Sequence, residues 1–133
     1  MDCVFCKIVN HEIPSFKIYE DEYTYAFLDI AKDIDGHTLV IPKKHVLNIL
    51  DCDNETLTHV IRTIHLISKH YVEDLGFDGV NVLNASGQAA EQSVFHLHFH
   101  IIPRKKDDGL TTFPVLPGTK KDLEEMQNYL KLN

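Results

Sequence analysis

The sequence predicts one α+β domain over residues 1–133, with a largely antiparallel sheet of five strands and one long helix. Segments with alternating apolar and polar residues outnumber helical segments. Only one long stretch, near the middle of the chain, repeats apolar residues with helical spacing. Two early strand-like segments are separated by a short acidic turn typical of a β-hairpin. A parallel doubly wound sheet would need more crossover helices, so we expect the antiparallel arrangement.

The first half of the sheet is predicted from the early strands. Residues 17–19 and 23–30 alternate well enough to form the hairpin. Residues 33–36 form a turn signal that ends in glycine. A short apolar strand follows at 37–41 and is stopped by Pro42.

The long helix is predicted to begin after Asp53, a suitable N-cap, and to stop at Gly76. Its expected buried stripe consists of Leu57, Val60, Ile61, Ile64, Ile67, Tyr71 and Leu75. Short helices are expected at both ends of the chain. At the carboxyl end Thr119 and Asp122 resemble a capping box before a short apolar repeat.

The rest of the sheet is predicted from two later segments. Residues 78–83 form one strand, and 84–93 form a polar loop. Residues 94–102 form a strand that contains three histidines and ends at Pro103.

Composition narrows the class of function. With 13 basic and 20 acidic residues the formal net charge is −7. An acidic chain binds nucleic acid and anionic membranes poorly, so neither is expected as a partner. No apolar run reaches the ~18 residues of a membrane-spanning helix.

The amino-terminal residues and the cysteines predict a cytoplasmic protein. The start of the chain lacks the basic and apolar regions of a secretory signal. Cys3 and Cys6 form a C-x-x-C, which in a reducing compartment indicates metal or redox chemistry rather than a disulfide framework. Cys52 stands alone and is interpreted as structural.

The most informative segment is the alternation of His96, His98 and His100 with apolar residues. In an extended strand the three imidazoles share one face, and the apolar residues pack on the other. Imidazole titrates near neutral pH and can act as nucleophile, base, acid or metal ligand. One zinc ion held by all three is a competing interpretation, although the outer two would lie ~13 Å apart along a strand. We therefore expect the three to have different roles.

The histidine segment resembles the signature of the histidine-triad (HIT) nucleotide-binding hydrolases, and other motifs follow in that family's order. They are Asp29-Ile30, His37, residues 39–45, Asn84 and residues 92–94. The resemblance covers most of residues 2–104 and is closest to a zinc-containing bacterial-type branch. It leaves 105–133 as a carboxyl-terminal tail without a recognisable motif. It implies a HIT-like fold that pairs into a homodimer with a continuous sheet.

The family's chemistry implies catalytic roles for four residues. His98 would attack the α-phosphorus of a purine nucleotide and form a nucleotidyl-histidine, which water then hydrolyses. His100 and His37 would hydrogen-bond the phosphate or His98. Ser93 would contact the leaving group and is a candidate proton donor.

The resemblance also implies a nucleotide-binding set. Asp29 would accept the ribose hydroxyls, and Asn84 would contact the phosphate. The remaining residues of the set are Gln92 and three candidates for the base pocket, Phe27, Ile30 and Ile18. For those three, a plain core role is an equally good interpretation.

Relatives with this C-x-x-C resemble zinc proteins, which implies a ligand set of Cys3, Cys6, His45 and His96. Two cysteines and two histidines would form a closed structural zinc site, one per chain. His96 would then serve the metal and not the reaction.

The leaving group stays open. The family usually has glycine where this chain has Glu91, and a carboxylate there would repel an anionic substrate unless it points away. We expect a hydrolase or transferase acting on nucleoside phosphoramidates or adenylates. The alternatives are a dinucleoside polyphosphate hydrolase, a nucleotide-binding or interaction module with negligible turnover, and a metallohydrolase with zinc on all three histidines.

Overall fold

Five strands form one sheet in the order β1-β2-β3-β5-β4, and every neighbouring pair is antiparallel. The structure is a computed structural model that describes residues 2–133. The strands are β1 Lys17–Glu20, β2 Thr24–Leu28, β3 Thr38–Pro42, β4 Gly79–Leu83 and β5 Phe99–Arg104. The helices are α1 Val4–Val9, α2 Asn54–Lys69 and α3 Leu123–Leu130. The predicted fold class is therefore confirmed.

The β1–β2 hairpin is closed by one carboxylate. Oδ1 of Asp21 accepts the backbone N–H groups of Tyr23 and Thr24, both at 2.8 Å. An aspartate that binds the backbone two and three residues ahead stabilises a tight turn. The predicted hairpin is thus confirmed.

The sheet separates two cores because side chains alternate along its strands. On one face, residues of β2, β3 and β5 pack against α2. On the other face, residues of β2 and β3 pack against α1. Leu97, Phe99 and Ile101 all lie in the α2 core, so the predicted alternation around the histidines is present.

The predicted helix is confirmed at its start and differs at its end. Asp53 caps it by accepting the N–H of Thr56 at 3.0 Å. The α-helix ends at Lys69, and a π-helical turn, His70–Asp74, precedes Gly76. A π turn holds more residues than an α turn and rotates the following side chains. This rotation takes Leu75 out of the stripe, and Leu75 is 55% exposed. Ile61 is also exposed, whereas the other predicted positions are buried or half-buried.

The histidine strand begins later and ends later than predicted. Only His100 of the three histidines lies within β5, and the strand continues through Pro103. The carbonyl of Arg104 accepts the N–H of Asp78, next to β4, so the nitrogen of Pro103 points towards the β3 side. The β3 pairing ends at Ile101, and proline therefore removes no ladder hydrogen bond.

The tail after β5 carries α3. Its N-cap is Asp122, whose side chain accepts the N–H of Glu125, and Thr119 takes no part in the cap. No side chain of α3 is buried. Within residues 2–133, no helix is both long and apolar enough to cross a membrane.

Candidate functional site

The sheet brings three of the predicted residues together at one position. His37 precedes β3, His98 precedes β5, and His100 pairs with Leu39 across the two strands. The ring centres of His98 and His100 are 5.2 Å apart, and those of His37 and His100 are 5.0 Å apart. Antiparallel pairing of two strands therefore assembles an imidazole cluster from residues 63 positions apart in the chain.

The orientation of His98 is fixed by the backbone. Its Nδ1 lies 2.8 Å from the carbonyl oxygen of His96. A carbonyl can only accept, so Nδ1 carries the hydrogen and the other nitrogen, Nε2, keeps its lone pair. The carbonyl of His98 is in turn bound by the side-chain amide of Asn84 at 2.9 Å. His98 is thus a buried imidazole held in the tautomer that a nucleophile requires.

A chain of hydrogen bonds runs from a carboxylate to His100. Nδ1 of His37 lies 2.8 Å from Oδ1 of Asp33, and Nε2 of His37 lies 2.8 Å from Nδ1 of His100. Because the carboxylate accepts, the hydrogen on His37 sits on Nδ1. Burial, helped by the neighbouring His98 and His37, lowers the pKa of His100 from 6.5 to about 4. His100 is therefore neutral at pH 7.

A cavity of about 320 Å³ opens beside the imidazoles, and we call it the apolar cavity. Phe27, Ile30 and Asp29 line it, as do Ser93, His98 and His100. Its remaining walls come mainly from α1 and the segment after it: Val4, Phe5, Ile8, Ile13, Pro14 and Ser15. The carboxylate of Asp29 reaches within 3.7 Å of Nε2 of His37. The cavity thus combines apolar walls with one carboxylate and two imidazoles.

Ile18 does not reach this cavity, which corrects its prediction as a base-pocket residue. The β1–β2 register shifts between Lys17 and Tyr19. Such a bulge breaks the two-residue alternation of faces. Ile18 lines instead a groove between β1 and α2.

Gln92 and Asn84 use their amides to hold the loop. Gln92 donates to the carbonyls of Leu47 and Val94 and accepts from Asn48 and the backbone of Gly87, at 2.7 to 3.3 Å. These contacts use both donor hydrogens and both acceptor positions of the amide. Gln92 is therefore a loop-positioning residue here, which corrects its prediction as a nucleotide contact. Asn84 retains one N–H beyond its bond to His98.

Two cysteines and two histidines meet beside the imidazole cluster. Sγ of Cys3 is 3.4 Å from Nδ1 of His96, and Sγ of Cys6 is 3.3 Å from Nδ1 of His45. The two Nδ1 atoms are 3.1 Å apart, and all four ligand atoms lie within 4.8 Å of one another. Tetrahedral zinc with ordinary bond lengths spaces S and N by about 3.5 Å and two N atoms by about 3.3 Å. The donor set therefore fits zinc in both chemistry and spacing.

The hydrogen bonds of His96 suit a metal ligand. Its Nε2 lies 2.8 Å from the carbonyl of Pro42, so the hydrogen sits on Nε2 and Nδ1 faces the cysteines with its lone pair. Burial lowers the pKa of His96 to about 4 and keeps the ring neutral. Burial and the nearby Cys3 raise the pKa of the Cys6 thiol to about 11, so metal binding would have to displace its proton.

The three histidines do not converge on one point, which argues against one catalytic zinc ion on all three. Among residues 2–133, His96 groups with the cysteines and His45, whereas His100 groups with Asp29 and His37. Neither group contains His98. The expected division of roles is therefore present in the geometry.

A second cavity, of about 380 Å³, lies next to the first, and we call it the acidic cavity. His37 and His100 border it together with Asp33 and Glu91. Ile34, Leu83, Ala85, Ala90 and Leu110 supply apolar wall. Of the described residues, none that lines either cavity is a lysine or arginine.

Two contributors were missed in the sequence. The ring of Phe5 packs edge-on against the rings of His98 and His96, with ring centres 5.3 Å and 5.9 Å apart. It therefore lies between the cysteine–histidine cluster and the imidazole cluster. The i, i+3, i+4 spacing of apolar residues in α1 was a usable signal for Phe5. Asp33 lay in a turn signal, and only its four-residue distance from His37 hinted at a contact.

Comparison with known proteins shows similarity to one family over most of the chain. Residues 10–107 match the HIT domain family. The adenosine 5'-monophosphoramidase of Saccharomyces cerevisiae is 40% identical over 124 residues, which cover 93% of this chain and 75% of that protein.

Solved structures similar to this chain belong to the same family. A HIT family protein from Bacillus subtilis has a TM-score of 0.84 and 40% identity, covering 97% of this chain and 92% of that one. A zinc-bound histidine triad family protein from Mycobacterium smegmatis has a TM-score of 0.79 and 42% identity, covering 84% and 81% of the two chains.

Proposed function

The chain belongs to the HIT domain family, and from this premise we propose that it hydrolyses purine nucleoside phosphoramidates and related adenylates at the α-phosphate. The observation that carries the proposal is the hydrogen bond from Nδ1 of His98 to the carbonyl of His96. It directs Nε2 of His98, the nitrogen that would act as nucleophile, to the apolar cavity. The similarity to an enzyme named as an adenosine 5'-monophosphoramidase supports the substrate class.

The reaction is proposed in two steps. Nε2 of His98 attacks the α-phosphorus, the bond from phosphorus to the leaving nitrogen breaks, and a nucleotidyl-histidine forms. The departing amine takes a proton from Ser93, which is exposed and regains one from solvent. Water then attacks the phosphorus and loses one proton to solvent. The bond to Nε2 breaks with its electron pair returning to His98, and the nucleoside monophosphate is released.

The other residues would position the substrate. The base would lie in the apolar cavity against Phe27 and Ile30, and Asp29 would accept the ribose hydroxyls. Asn84 would offer its remaining N–H to the phosphoryl oxygens as negative charge develops. His100 would donate to them from Nε2 when Nε2 of His37 carries a proton and donates to Nδ1 of His100. An oriented donor in such a place contributes roughly 3 kcal/mol to the barrier.

The proposal is tested by trapping the intermediate. The protein is mixed with adenosine phosphoramidate, quenched in acid-free denaturant and measured by intact mass spectrometry. We expect an adenylate adduct in the wild type and none in His98→Ala, with turnover lowered at least about 1,000-fold. His65→Ala, which changes an exposed histidine on α2, is the matched control and should form the adduct. Full turnover by His98→Ala would overturn the proposal.

The same experiment addresses the alternatives. Turnover that survives His98→Ala and disappears with a chelator would favour a metallohydrolase. Nucleotide binding without turnover or adduct would favour a binding module. Cleavage of a diadenosine polyphosphate in preference to the phosphoramidate would favour the dinucleoside polyphosphate hydrolase.

We also propose one structural zinc ion per chain, held by Cys3, Cys6, His45 and His96. The spacing of the four ligand atoms and the zinc-bound relative support it. Four protein ligands close the coordination sphere, so the ion would brace α1 against the histidine segment.

The proposal further includes a homodimer and a cytoplasmic location. β4 lies at one edge of the sheet, and its Val82 and Leu83 are exposed, which suits pairing with a second copy. Sedimentation of the purified protein measures this directly. Location and the expected lack of nucleic-acid and membrane partners stay predictions from the sequence.

A further inference from the structure

We propose that the acidic cavity receives the leaving group, and that Asp33 and Glu91 make the protein selective for phosphoramidates whose leaving amine carries a positive charge at its far end. This inference rests on the proposed function and adds a substrate class to it. The charged amine would leave into a slot that two carboxylates border.

The position of the leaving group follows from which residues border which cavity. His98, the nucleophile, lines the apolar cavity and not the acidic cavity. His100 lines both, so a phosphoryl group held by His100 lies where the two cavities meet. In an in-line displacement the leaving group departs on the side of phosphorus away from the nucleophile. With the base and ribose in the apolar cavity, the reacting nitrogen would lie at that junction beside Ser93, which lines the apolar cavity two residues after Glu91. The rest of the amine would then extend into the acidic cavity.

Both carboxylates are available to a cation. Asp33 uses Oδ1 for His37, and its side chain is 55% exposed. The hydrogen bond from His37 lowers the pKa of Asp33, so this group is charged at neutral pH. Glu91 is exposed at the end of the turn Gln88–Ala90. No hydrogen bond or ion pair joins its side chain to another residue of the described chain.

Three basic residues are paired elsewhere, and Lys32, which precedes Asp33 in the chain, lines neither cavity. Lys43 pairs with Glu20 at 2.7 Å, and Lys44 pairs with Asp53 at 2.9 Å. Arg104 pairs with Asp108 at 2.7 Å. A polyphosphate leaving group would therefore bring several negative charges to two carboxylates without a compensating lysine or arginine among the lining residues.

The chemistry of the step balances for such a substrate. The bond between phosphorus and nitrogen breaks, the nitrogen takes one proton from Ser93, and the leaving group departs as a neutral amine with its remote ammonium intact. The amine takes a second proton only from solvent, after release. The remote ammonium is charged before and after the reaction, so the carboxylates stabilise it in the bound substrate and in the transition state. The effect is therefore expected in kcat/KM.

The test uses two amines of matched length. Adenosine phosphoramidates are made with putrescine, whose free end is an ammonium, and with pentylamine, whose end is a methyl group. A diadenosine polyphosphate is the third substrate. We expect kcat/KM to favour the putrescine compound over the pentylamine compound by about fivefold at low salt, from two partly exposed charges. The ratio should fall towards one near 0.5 M salt, where screening shortens to roughly 4 Å.

Variants assign the effect to the cavity. Glu91→Gln should lower the ratio about threefold, and Glu91→Lys should bring it below one while raising cleavage of the polyphosphate. Asp35→Asn is the matched control because Asp35 is exposed in the same turn as Asp33 and does not line the cavity. It removes the same charge and should leave the ratio unchanged.

The outcomes separate the two proposals. The inference would be overturned if the wild type had equal kcat/KM for both amine compounds, or if neither Glu91→Gln nor salt changed their ratio. In either case, turnover of the pentylamine compound would still support the proposed function. A lack of turnover with all three substrates would overturn the proposed function and the inference with it. The salt dependence of the kcat/KM ratio is measured on the wild type alone. The inference can therefore still be overturned if a Glu91 variant folds poorly.

Discussion

The Nδ1 nitrogen of His98 lies 2.8 Å from the carbonyl oxygen of His96, so the candidate nucleophile is oriented by the backbone of a candidate metal ligand. His96 is fixed in turn from its other side, because its Nε2 meets the carbonyl of Pro42 at 2.8 Å. The metal cluster and the imidazole cluster are thus separate in their side chains and continuous in their backbone. A disturbance of the cysteines should therefore reach His98 through the carbonyl of His96.

Cys6→Ser should lower both the zinc content and the stability. Removing one of four ligands weakens the site, and a metal held at about 100 times its dissociation constant contributes about 2.7 kcal/mol. We expect zinc well below one per chain and a Tm lower by about 10 °C, measured by elemental analysis and calorimetry. Cys52→Ser is the control, since Cys52 is a half-buried cysteine outside the cluster. Equal zinc in the two variants would contradict the assignment.

His100 should make stability depend on pH below neutrality. Burial lowers its pKa from 6.5 to about 4, so between these values the unfolded chain binds more protons than the folded one. Its contribution is then complete above pH 6.5 and declines as the pH falls towards 4. After discounting for its partial exposure we expect a loss of about 2 kcal/mol.

The measurement compares urea unfolding of the wild type and His100→Asn at pH 7 and pH 4.5. Asparagine keeps a polar atom near His37 and does not titrate. The difference in unfolding free energy between the two proteins should therefore narrow or reverse at the lower pH. A difference independent of pH would show that His100 is not the buried neutral group described above.

Asp33 should position His37 for the reaction. Its carboxylate accepts the Nδ1 hydrogen of His37 at 2.8 Å, which holds Nε2 towards His100. With the pentylamine substrate, Asp33→Ala should lower kcat about tenfold and leave KM nearly unchanged, while Asp33→Asn, which keeps an acceptor oxygen, should restore most of kcat. Asp35→Ala should behave as the wild type. An equal loss in the alanine and asparagine variants would point to charge instead of orientation.

The sequence predicted the site best where the two-residue alternation of a strand coincides with residue types that can bind metal or act in catalysis. Alternation of histidine with apolar residues placed Leu97 in the core and His98 in the site even though the hydrogen-bonded strand begins only at Phe99. The C-x-x-C together with His45 and His96 predicted a four-ligand cluster that the chain does bring together.

The prediction from sequence failed where a local backbone irregularity or a tertiary contact changes the direction of a side chain. A bulge in β1 turns Ile18 away from the apolar cavity, and no residue type in that segment marks a bulge. Gln92 was placed at the ligand by resemblance, yet its amide is consumed by four loop contacts that only tertiary structure defines. The role of Asp33 was missed for the same reason. A turn signal does not show which side chain elsewhere in the chain a turn residue will contact.

Glu91 provides the final prediction, because its backbone and its charge can be separated. Its φ is +67°, in the left-handed region that glycine enters freely and other residues enter at a cost of about 1–2 kcal/mol. Glu91→Gly removes that strain and adds about 0.5–1 kcal/mol of chain entropy to unfolding, so a net gain of about 0.5 kcal/mol is expected, or roughly 2 °C in Tm. Glu91→Ala removes the carboxylate and keeps the strain.

Calorimetry should therefore rank Glu91→Gly above Glu91→Ala in stability. Both variants lack the carboxylate, so both should lose the same part of the preference for the putrescine phosphoramidate. If the glycine variant were no more stable than the alanine variant, the backbone at this position would not be strained. If only one of them lost the preference, loop geometry and not charge would control the leaving-group side. Glu91 thus combines a backbone conformation that suits glycine with a carboxylate that borders the acidic cavity, and the two variants separate these effects.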